Sequence, residues 1–379
     1  MNRPLLRVVT AAWPSASEPT RGRFIEDLHR ALAPRFESEI LAPRLDVSDS
    51  LHECTEAGTV HRFATPLRGR NVRSAGIGPV GAARYVLSGL RSARSVWGGS
   101  RSRGGVVFGH WIVPTGWIAA RLARRLDLPL VLYAHGSDVH RYGRRGAGRR
   151  MLREALRAAA LVFAASEPLA AEVRPHCRAG VPVEVLPIGV SADFVAGDPP
   201  PPPPPLRLLF VGDLLRAKGV EEIEAAVSML LERGLPVTLE WVGASGDLGR
   251  APRVGDVRGP LAPAEVAAAM ARAHLLLLPS HAEGTPVVLQ EAMAMHLPWA
   301  ATAVGGIPDL ADRCASSTLL PAPHERGEVV EAIVSLCEER LAGSPAVEPV
   351  VDSVEELRTS ARAARLADAI DALLEGRSP

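Results

Sequence analysis

Short apolar runs closed by turn residues alternate along the 379-residue chain with segments whose apolar positions recur at helical spacing. In the first half the runs are LLRVVTAAWP, GGVVFGH and LPLVLYAHG, and the helical patterns are RGRFIEDLHRALAPR and PTGWIAARLARRLD. In the second half LRLLFVGDL, VTLEWVG, AHLLLLPS and LPWAATAVGG read as strands. GVEEIEAAVSMLLERG, APAEVAAAMARA and TPVVLQEAMAM read as the helices between them. This alternation predicts an α/β protein with a Rossmann-like, doubly wound parallel sheet in each half. Ligands of such sheets gather at the carboxyl ends of the strands, and two such domains facing each other make a cleft.

Seven consecutive prolines, Pro199 to Pro205, mark the boundary between the halves. The run lacks amide donors and favours an extended polyproline helix. At about 3.1 Å per residue it would span roughly 20 Å as a stiff spacer. A chain of this length, 47% hydrophobic and 22% charged, is globular and too long for one ordinary core. The expected organisation is a first domain over residues 1–190, a proline-rich linker over 191–205 and a second domain over 206–350, followed by a polar terminal helix within 351–379. Arg7 interrupts the opening apolar run, which lacks the uncharged centre of a signal peptide, and no later stretch reaches transmembrane length. The chain is therefore expected to remain in the cytosol. Cys54, Cys177, Cys314 and Cys337 lie far apart, which predicts free, mostly buried thiols rather than a zinc site or a disulfide framework.

The net charge of +1 conceals two opposed halves. Residues 1–198 hold 28 arginines against 17 acids, while residues 206–379 hold 15 cations against 25 acids. From Ala57 to Arg153, 18 arginines face only Asp127 and Asp138. An anionic surface or ligand on the first domain would explain this bias, and a solvated arginine-rich face is the plainer alternative.

Among 43 cationic residues there is a single lysine, Lys218, in FVGDLLRAKGV. This segment is a strand, a turn at Gly212 and a loop that brings Arg216 and Lys218 to the start of a helix. A lysine is a compact charge suited to a phosphate oxygen at close range, whereas arginine needs room for its planar fork. A second candidate site is PSHAEGTPVVLQEAMAMHLP. Thr285 and Pro286 are expected as N-cap and first helical residue, with the helix ending near His296. Gly284 would let backbone approach a ligand, and the free amides of the first turn could donate to phosphate or hydroxyl groups. Glu283 precedes the cap and Glu291 lies inside the helix, so their carboxylates should grip different parts of one long ligand. A capping acid and a solvated helical acid are the alternatives.

PSHAEGTPVVLQEAMAMHLPWAATAVGGIPDL resembles the donor-site signature of retaining glycosyltransferases of family 4, which have the two-domain GT-B fold. FVGDLLRAKGV is similar to the family's diphosphate loop, VLPIGVSADF to its interdomain segment and VRGPLAPAEVAAAMARAHLLLLPS to the approach to the signature. In the first half, RGRFIEDLHRAL resembles the glycine loop and first helix, FGHWIVPTGWIAA the His-containing turn and AHGSD the catalytic-histidine loop. The likeness covers nearly the whole chain and is greatest to enzymes of bacterial surface-polysaccharide and cell-wall assembly.

The resemblance implies a first domain that binds the acceptor, a second that binds a UDP- or GDP-sugar, and a terminal helix that crosses back to the first. It implies that Glu283 binds hydroxyls of the donor sugar, that the Gly284 and Thr285 backbone holds that sugar and that Glu291 takes the ribose hydroxyls. Lys218 would hold the diphosphate, with Gly22 meeting it from the opposite domain, and His135 would sit by the sugar as a catalytic residue beside Glu283 and Lys218. Gly212, Arg216, Pro286 and Val287 complete the implied donor site, and His110 and Asp138 are placed on the acceptor side. Asp213 stands where the family has arginine, Thr285 where an aromatic residue is commoner and Asp309 where a glutamate is usual. Arg216 is then the candidate for the missing cation.

No Asp-x-Asp pair occurs in the sequence, so no metal is expected to bridge the diphosphate. The implied activity is retaining transfer of a hexose-type sugar to a glycan, lipid-linked or small-molecule acceptor, with no cofactor and no nucleic-acid partner. The arginine-rich half would allow peripheral contact with anionic lipid at the inner face of the membrane. Two alternatives stand beside this reading: a catalytically silent nucleotide-sugar binding protein, suggested by Asp213, and a GT-B sugar-nucleotide epimerase.

Overall fold

A computed structural model describes residues 3–65, 79–99, 104–142, 146–343 and 354–377. The chain divides into two compact units, Met1–Ile188 with Thr359–Pro379, and Gly189–Arg358. No helix among the described residues is long and apolar enough to cross a membrane.

The first unit runs β1 (Leu5–Val9), α1 (Arg23–Leu32), β2 (Glu37–Arg44), β3 (His52–Thr55), β4 (Gly58–Ala64), α2 (Pro79–Trp97), β5 (Gly105–His110) and α3 (Trp117–Leu126). It continues through β6 (Leu130–Ala134), α4 (Gly146–Ala158), β7 (Leu161–Ala164), α5 (Glu167–Val173) and β8 (Val183–Val185). The eight strands lie in the order β3-β4-β2-β1-β5-β6-β7-β8. The central strands are buried along their whole length because helices cover both faces, which is why they read as unbroken apolar runs.

One edge departs from an all-parallel sheet. β3 and β4 pair antiparallel. Only Glu56 and Ala57 separate them, too few residues for the crossover that a parallel pair needs. β3 carries His52, Glu53 and Cys54 in place of a continuous apolar run, as suits a half-exposed edge. A C-terminal helix, Thr359–Leu374, packs along α1 and buries Leu366 and Ile370 in this unit's core. Arg35, just beyond α1, donates to Asp368 on that helix at 2.6 Å and also pairs with Asp371.

The second unit runs β9 (Leu206–Val211), α6 (Val220–Glu232), β10 (Val237–Val242), β11 (Asp256–Gly259), α7 (Pro263–Arg272), β12 (Leu275–Leu278) and α8 (Val287–Ala294). Then come β13 (Trp299–Thr302), α9 (Ile307–Ala311), β14 (Ser317–Leu320), α10 (Arg326–Leu341) and α11 (Val354–Leu357), after which the chain passes into α12, the helix Thr359–Leu374 of the first unit. All six strands are parallel, in the order β11-β10-β9-β12-β13-β14. Trp241 and Trp299 are fully buried in its core.

The two passages of chain into and out of this unit are tied together. The Val190 amide donates to Leu357 O at 2.7 Å, and the Arg358 guanidinium donates to Phe194 O at 2.7 Å. Pro201, within the proline run, is anchored through its carbonyl to Arg207 at 3.0 Å. Of the four cysteines, Cys314 and Cys337 are buried, Cys177 is half-buried and Cys54 is exposed. The thiols are free, as the spacing predicts, and the exposed one stands on the edge strand β3.

Candidate active site

In the second sheet the chain leaves β9 towards β10 and β11, then returns to β12 on the other side of β9. At such a reversal the loops leaving the two strands diverge and open a crevice at the carboxyl edge. The loop after β9 holds Gly212, Asp213, a short helical turn over Arg216–Lys218 and then Gly219. The loop after β12 holds Ser280, Glu283 and Gly284.

The two loops are joined directly. His281 N donates to Ala217 O at 2.9 Å. A Cβ on Gly219, which has φ +74°, would collide with the Pro279 carbonyl oxygen. Glycine is needed there on two counts, close approach and a left-handed backbone. The β13 loop completes the wall, because Gly306 N donates to Gly284 O at 2.7 Å and Thr302 donates its hydroxyl to Ser280 O.

These loops bring Lys218 Nζ to 2.5 Å from Glu283 Oε1. Ser280 Oγ donates to the same carboxylate oxygen at 2.7 Å. The Glu283 side chain is 9% exposed and that of Lys218 22%, so the pair is largely shielded from solvent, the lysine less so. Arg216 donates its amide to Asp247 at 2.8 Å, while its guanidinium pairs with Glu221. Asp213 is exposed. Glu222, almost fully buried, meets His281 at 3.3 Å and Arg326 at 3.4 Å.

Glu291 is half-buried on α8, and the loss of hydration pushes its carboxyl pKa up to about 8. The start of α8 differs by one residue from the sequence expectation. Pro286 is the N-cap, with ψ 122°, and Val287 the first helical residue, so Thr285 lies outside the helix. The extended ψ of Pro286 places the turn into the helix after the proline rather than before it.

The first sheet reverses its order between β1 and β5. The loop after β1 leads to Gly22, at φ +72°, where a Cβ would strike the Ala12–Trp13 backbone. Asp49 pins this loop, accepting from Ser17 N and Oγ, each at 3.1 Å, and from Asp46 N at 3.0 Å. Burial works to raise the Asp49 pKa, but the Asp46 and Ser17 amides and the serine hydroxyls outweigh it and hold it at about 2.

His110 ends β5 and His135 follows β6. His110 and Asp138 are completely buried rather than open to solvent. Asp138 accepts from Ile112 N at 2.6 Å, Gly136 N at 2.9 Å and His135 N at 3.3 Å, fastening the β5 and β6 loops together. His110 lies between two rings, with Nδ1 3.0 Å from His135 Nε2 and Nε2 3.0 Å from His29 Nε2. His135 stacks on Tyr133 at 4.6 Å and has no partner for Nδ1 among the described residues. Burial lowers its pKa to about 3, so the ring is neutral at physiological pH.

The structure thus brings Lys218, Glu283 and Gly284 together in the second unit and His110, His135 and Asp138 together in the first. Ser280, Thr302, Gly305, Gly306 and His29 are further members that the sequence did not single out. The Gly-Gly of VGGIPDL was the one available signal, since paired glycines mark close backbone approach. Among the described residues no group of three or more His, Cys, Asp or Glu side chains is arranged to hold a metal ion.

Two α/β units of this topology make the GT-B architecture. The family model described as Glycosyltransferase Family 4 matches residues 22–194, and that described as Glycosyl transferases group 1 matches residues 205–339. Together they take in most of the chain, which belongs to the family 4 glycosyltransferases. Among individual proteins, the chain is 28% identical over 261 residues to TuaC of Bacillus subtilis, a candidate glycosyltransferase of teichuronic acid biosynthesis. That match covers 66% of this chain and 66% of TuaC, just under two thirds of the relative's length.

Among solved structures, a sucrose-phosphate synthase from Thermosynechococcus elongatus aligns with a TM-score of 0.75 at 16% identity, covering 99% of this chain and 100% of that one. HepE of Anabaena in complex with UDP-glucose aligns with a TM-score of 0.69 at 16% identity, covering 97% and 99%. At these identities the likeness speaks to the fold alone.

Proposed function

We propose that the protein transfers a hexose-type sugar from a UDP- or GDP-sugar to a glycan or lipid-linked acceptor in bacterial surface-polysaccharide assembly, with retention of configuration and without a metal ion. The observation that carries this reading is the Lys218–Glu283 pair at the reversal point of the second sheet. A cation and a carboxylate in one crevice suit a ligand with a diphosphate at one end and sugar hydroxyls at the other.

On donor binding Lys218 exchanges Glu283 for a diphosphate oxygen, and Glu283 turns its freed oxygen to the sugar. Gly284, Thr285 and the amides of Val287 and its successor at the amino end of α8 complete that grip, with Pro286 fixing the turn. Glu291 takes the ribose hydroxyls, and Gly212, Arg216 and Gly22 border the diphosphate. His135 contacts the transferred sugar.

In the reaction the bond from the anomeric carbon to the diphosphate oxygen breaks. The acceptor oxygen bonds that carbon on the same face, and its proton passes to the departing oxygen. Negative charge grows on the leaving nucleoside diphosphate, where Lys218 and the helix amides stabilise it without reorganising.

The teichuronic acid role ascribed to TuaC and the UDP-glucose bound to HepE support this choice of donor and setting. Arg84, Arg91 and Arg94 on α2 and Arg149, Arg150, Arg153 and Arg157 on α4 are exposed, which supports an anionic acceptor and contact with anionic lipid. Arg68, Arg70, Arg73, Arg101, Arg103, Arg144 and Arg145 of the same stretch lie outside the described residues. Failure to sediment with anionic vesicles at low salt removes the membrane part of the proposal.

The test is thermal shift with UDP- and GDP-sugars, followed by incubation with lipid extract and mass spectrometry of the products. The expected result is stabilisation by one donor class, acceptor-dependent release of its nucleotide and a rate unchanged by chelator. Lys218→Met should weaken donor binding by roughly tenfold or more, the scale of one charge-assisted hydrogen bond. Binding without turnover would indicate a silent module, an isomeric sugar nucleotide would indicate an epimerase, and no stabilisation by any donor would end the reading.

A further inference from the structure

Three histidines of the first unit stand in an unbroken row. His29 on α1 and His110 at the end of β5 are fully buried, with their Nε2 atoms 3.0 Å apart. His110 Nδ1 lies 3.0 Å from His135 Nε2. Beyond His29, the buried Ser38 hydroxyl on β2 lies 3.5 Å from His29 Nδ1. At the opposite end His135 Nδ1 is buried and has no partner among the described residues. Burial lowers the pKa of His29 and His135 to about 3 and that of His110 well below its ordinary value, with the neighbouring rings adding to the effect at His110. All three rings are neutral at physiological pH.

A neutral imidazole carries one N–H. Each contact between rings needs one proton, because two facing N–H groups repel and two facing lone pairs make no bond. Two of the three ring protons are therefore committed, and the third is confined to an end of the row. It sits on His29 Nδ1, donating to Ser38, or on His135 Nδ1. Moving it from one end to the other reverses both intervening bonds, so the three rings change tautomer together.

The ends are not equivalent. Ser38 Oγ can accept from His29 Nδ1 or donate to it and so is served by either arrangement, whereas an N–H on His135 Nδ1 would point at nothing, and an orphaned buried donor is rarer than an orphaned acceptor. Stacking on Tyr133 and the contacts with Trp111 and Phe24 hold the His135 ring in place, so the proton arrangement is the remaining freedom.

We propose that Ser38, His29 and His110 are positioning residues that hold His135 as the Nε2–H tautomer, with the Nδ1 lone pair free to accept from a ligand hydroxyl. A ligand offering an acceptor oxygen instead draws the proton to Nδ1 and reverses the whole row. Only the identity of that ligand rests on the transferase reading; the tautomer does not.

The test is nitrogen NMR of the full chain labelled with 15N-histidine, each ring assigned by its own substitution. The unliganded protein should show Nε2–H at His135 and His110 and Nδ1–H at His29. Ser38→Ala removes the hydroxyl partner with almost no change of volume, leaves the spare N–H equally unpaired at either end, and should turn the single pattern into a mixture of both in all three rings. Turnover of that variant should fall in proportion to the Nε2–H population lost at His135, with donor KM nearly constant. Ser38→Thr, which keeps the hydroxyl, should restore both tautomer and rate. An Nδ1–H at His135 in the unsubstituted protein, or tautomers untouched by Ser38→Ala, overturns the proposal. Tautomers that mix while turnover stays unchanged would uphold the row and instead count against contact between His135 and the sugar.

Discussion

Lys218 reaches a partner, Glu283, that also accepts from Ser280. Any anion that takes the lysine must first separate this pair, so the carboxylate opposes nucleotide binding while serving the sugar. Glu283→Gln, which keeps the shape and the Ser280 contact, should raise the affinity for UDP or GDP alone by roughly fivefold, the worth of a partly exposed pair. The same substitution should depress transfer by one to two orders of magnitude, about 1.4 kcal/mol for each. Calorimetric titration with the bare nucleotide and a transfer assay check the two halves, and weaker nucleotide binding in the variant would contradict the competition.

Each of the two side chains is legible in the sequence by itself, because each follows an apolar run that ends in a turn. Their contact is not legible, since 65 residues of sequence separation are closed by the strand order β10-β9-β12, which no local pattern encodes. His29 escaped notice for a related reason. It sits in a helix with Glu26, Asp27 and Arg30 around it, and only the packing of α1 against β5 buries it.

At the scale of elements, the second site depends on backbone packed against backbone. Gly219→Ala combines a left-handed φ of +74° with a collision against Pro279, whereas Gly234→Ala meets nothing within 4 Å at φ +71°. Denaturant unfolding should show a loss of about 1–2 kcal/mol for Gly234→Ala, the backbone term alone, and a clearly larger loss for Gly219→Ala. Equal losses would mean the loops after β9 and β12 are not in hard contact.

The strands β1, β5, β6, β12 and β13 were legible as apolar runs because they are buried on both faces, and β9 and β10 by the apolar residues of their buried positions. The hairpin β3–β4 was not, because its half-polar residues, HECT and GTVHRFA, carry no such run. α12 was legible as a helix, and its seat is set by Leu366 and Ile370. Removing residues 359–379 should expose the first core and leave the second unit intact, visible as amide exchange that rises in residues 3–188 alone. Leu366→Ala should cost about 2–5 kcal/mol, while Arg35→Ala, which breaks surface pairs, should cost no more than about 1 kcal/mol.

The whole molecule should respond to pH in two directions at once. His29 and His135 have folded pKa values of about 3 against 6.5 in the unfolded chain, so they favour the folded first unit above 6.5 and withdraw that support as pH falls towards 3. Glu291 has a folded pKa of about 8 against 4.5, so the folded second unit keeps a proton that the unfolded chain releases, and its stability declines as pH rises from 4.5 to 8. Scanning calorimetry between about pH 8 and about pH 5 should move the first unit's transition down and the second's up, and Glu291→Gln should flatten the second. Parallel movement of both transitions would be inconsistent with these protonation states.

The seat of α12 on α1 also bears on how the polypeptide is made. Leu366 and Ile370, with Ala363, Ala367 and Ala369 of the same helix, belong to a core whose remaining members are translated before residue 189. A ribosome therefore translates the entire second unit while the first still lacks α12, and the first core is complete only once residues 359–374 have left the exit tunnel.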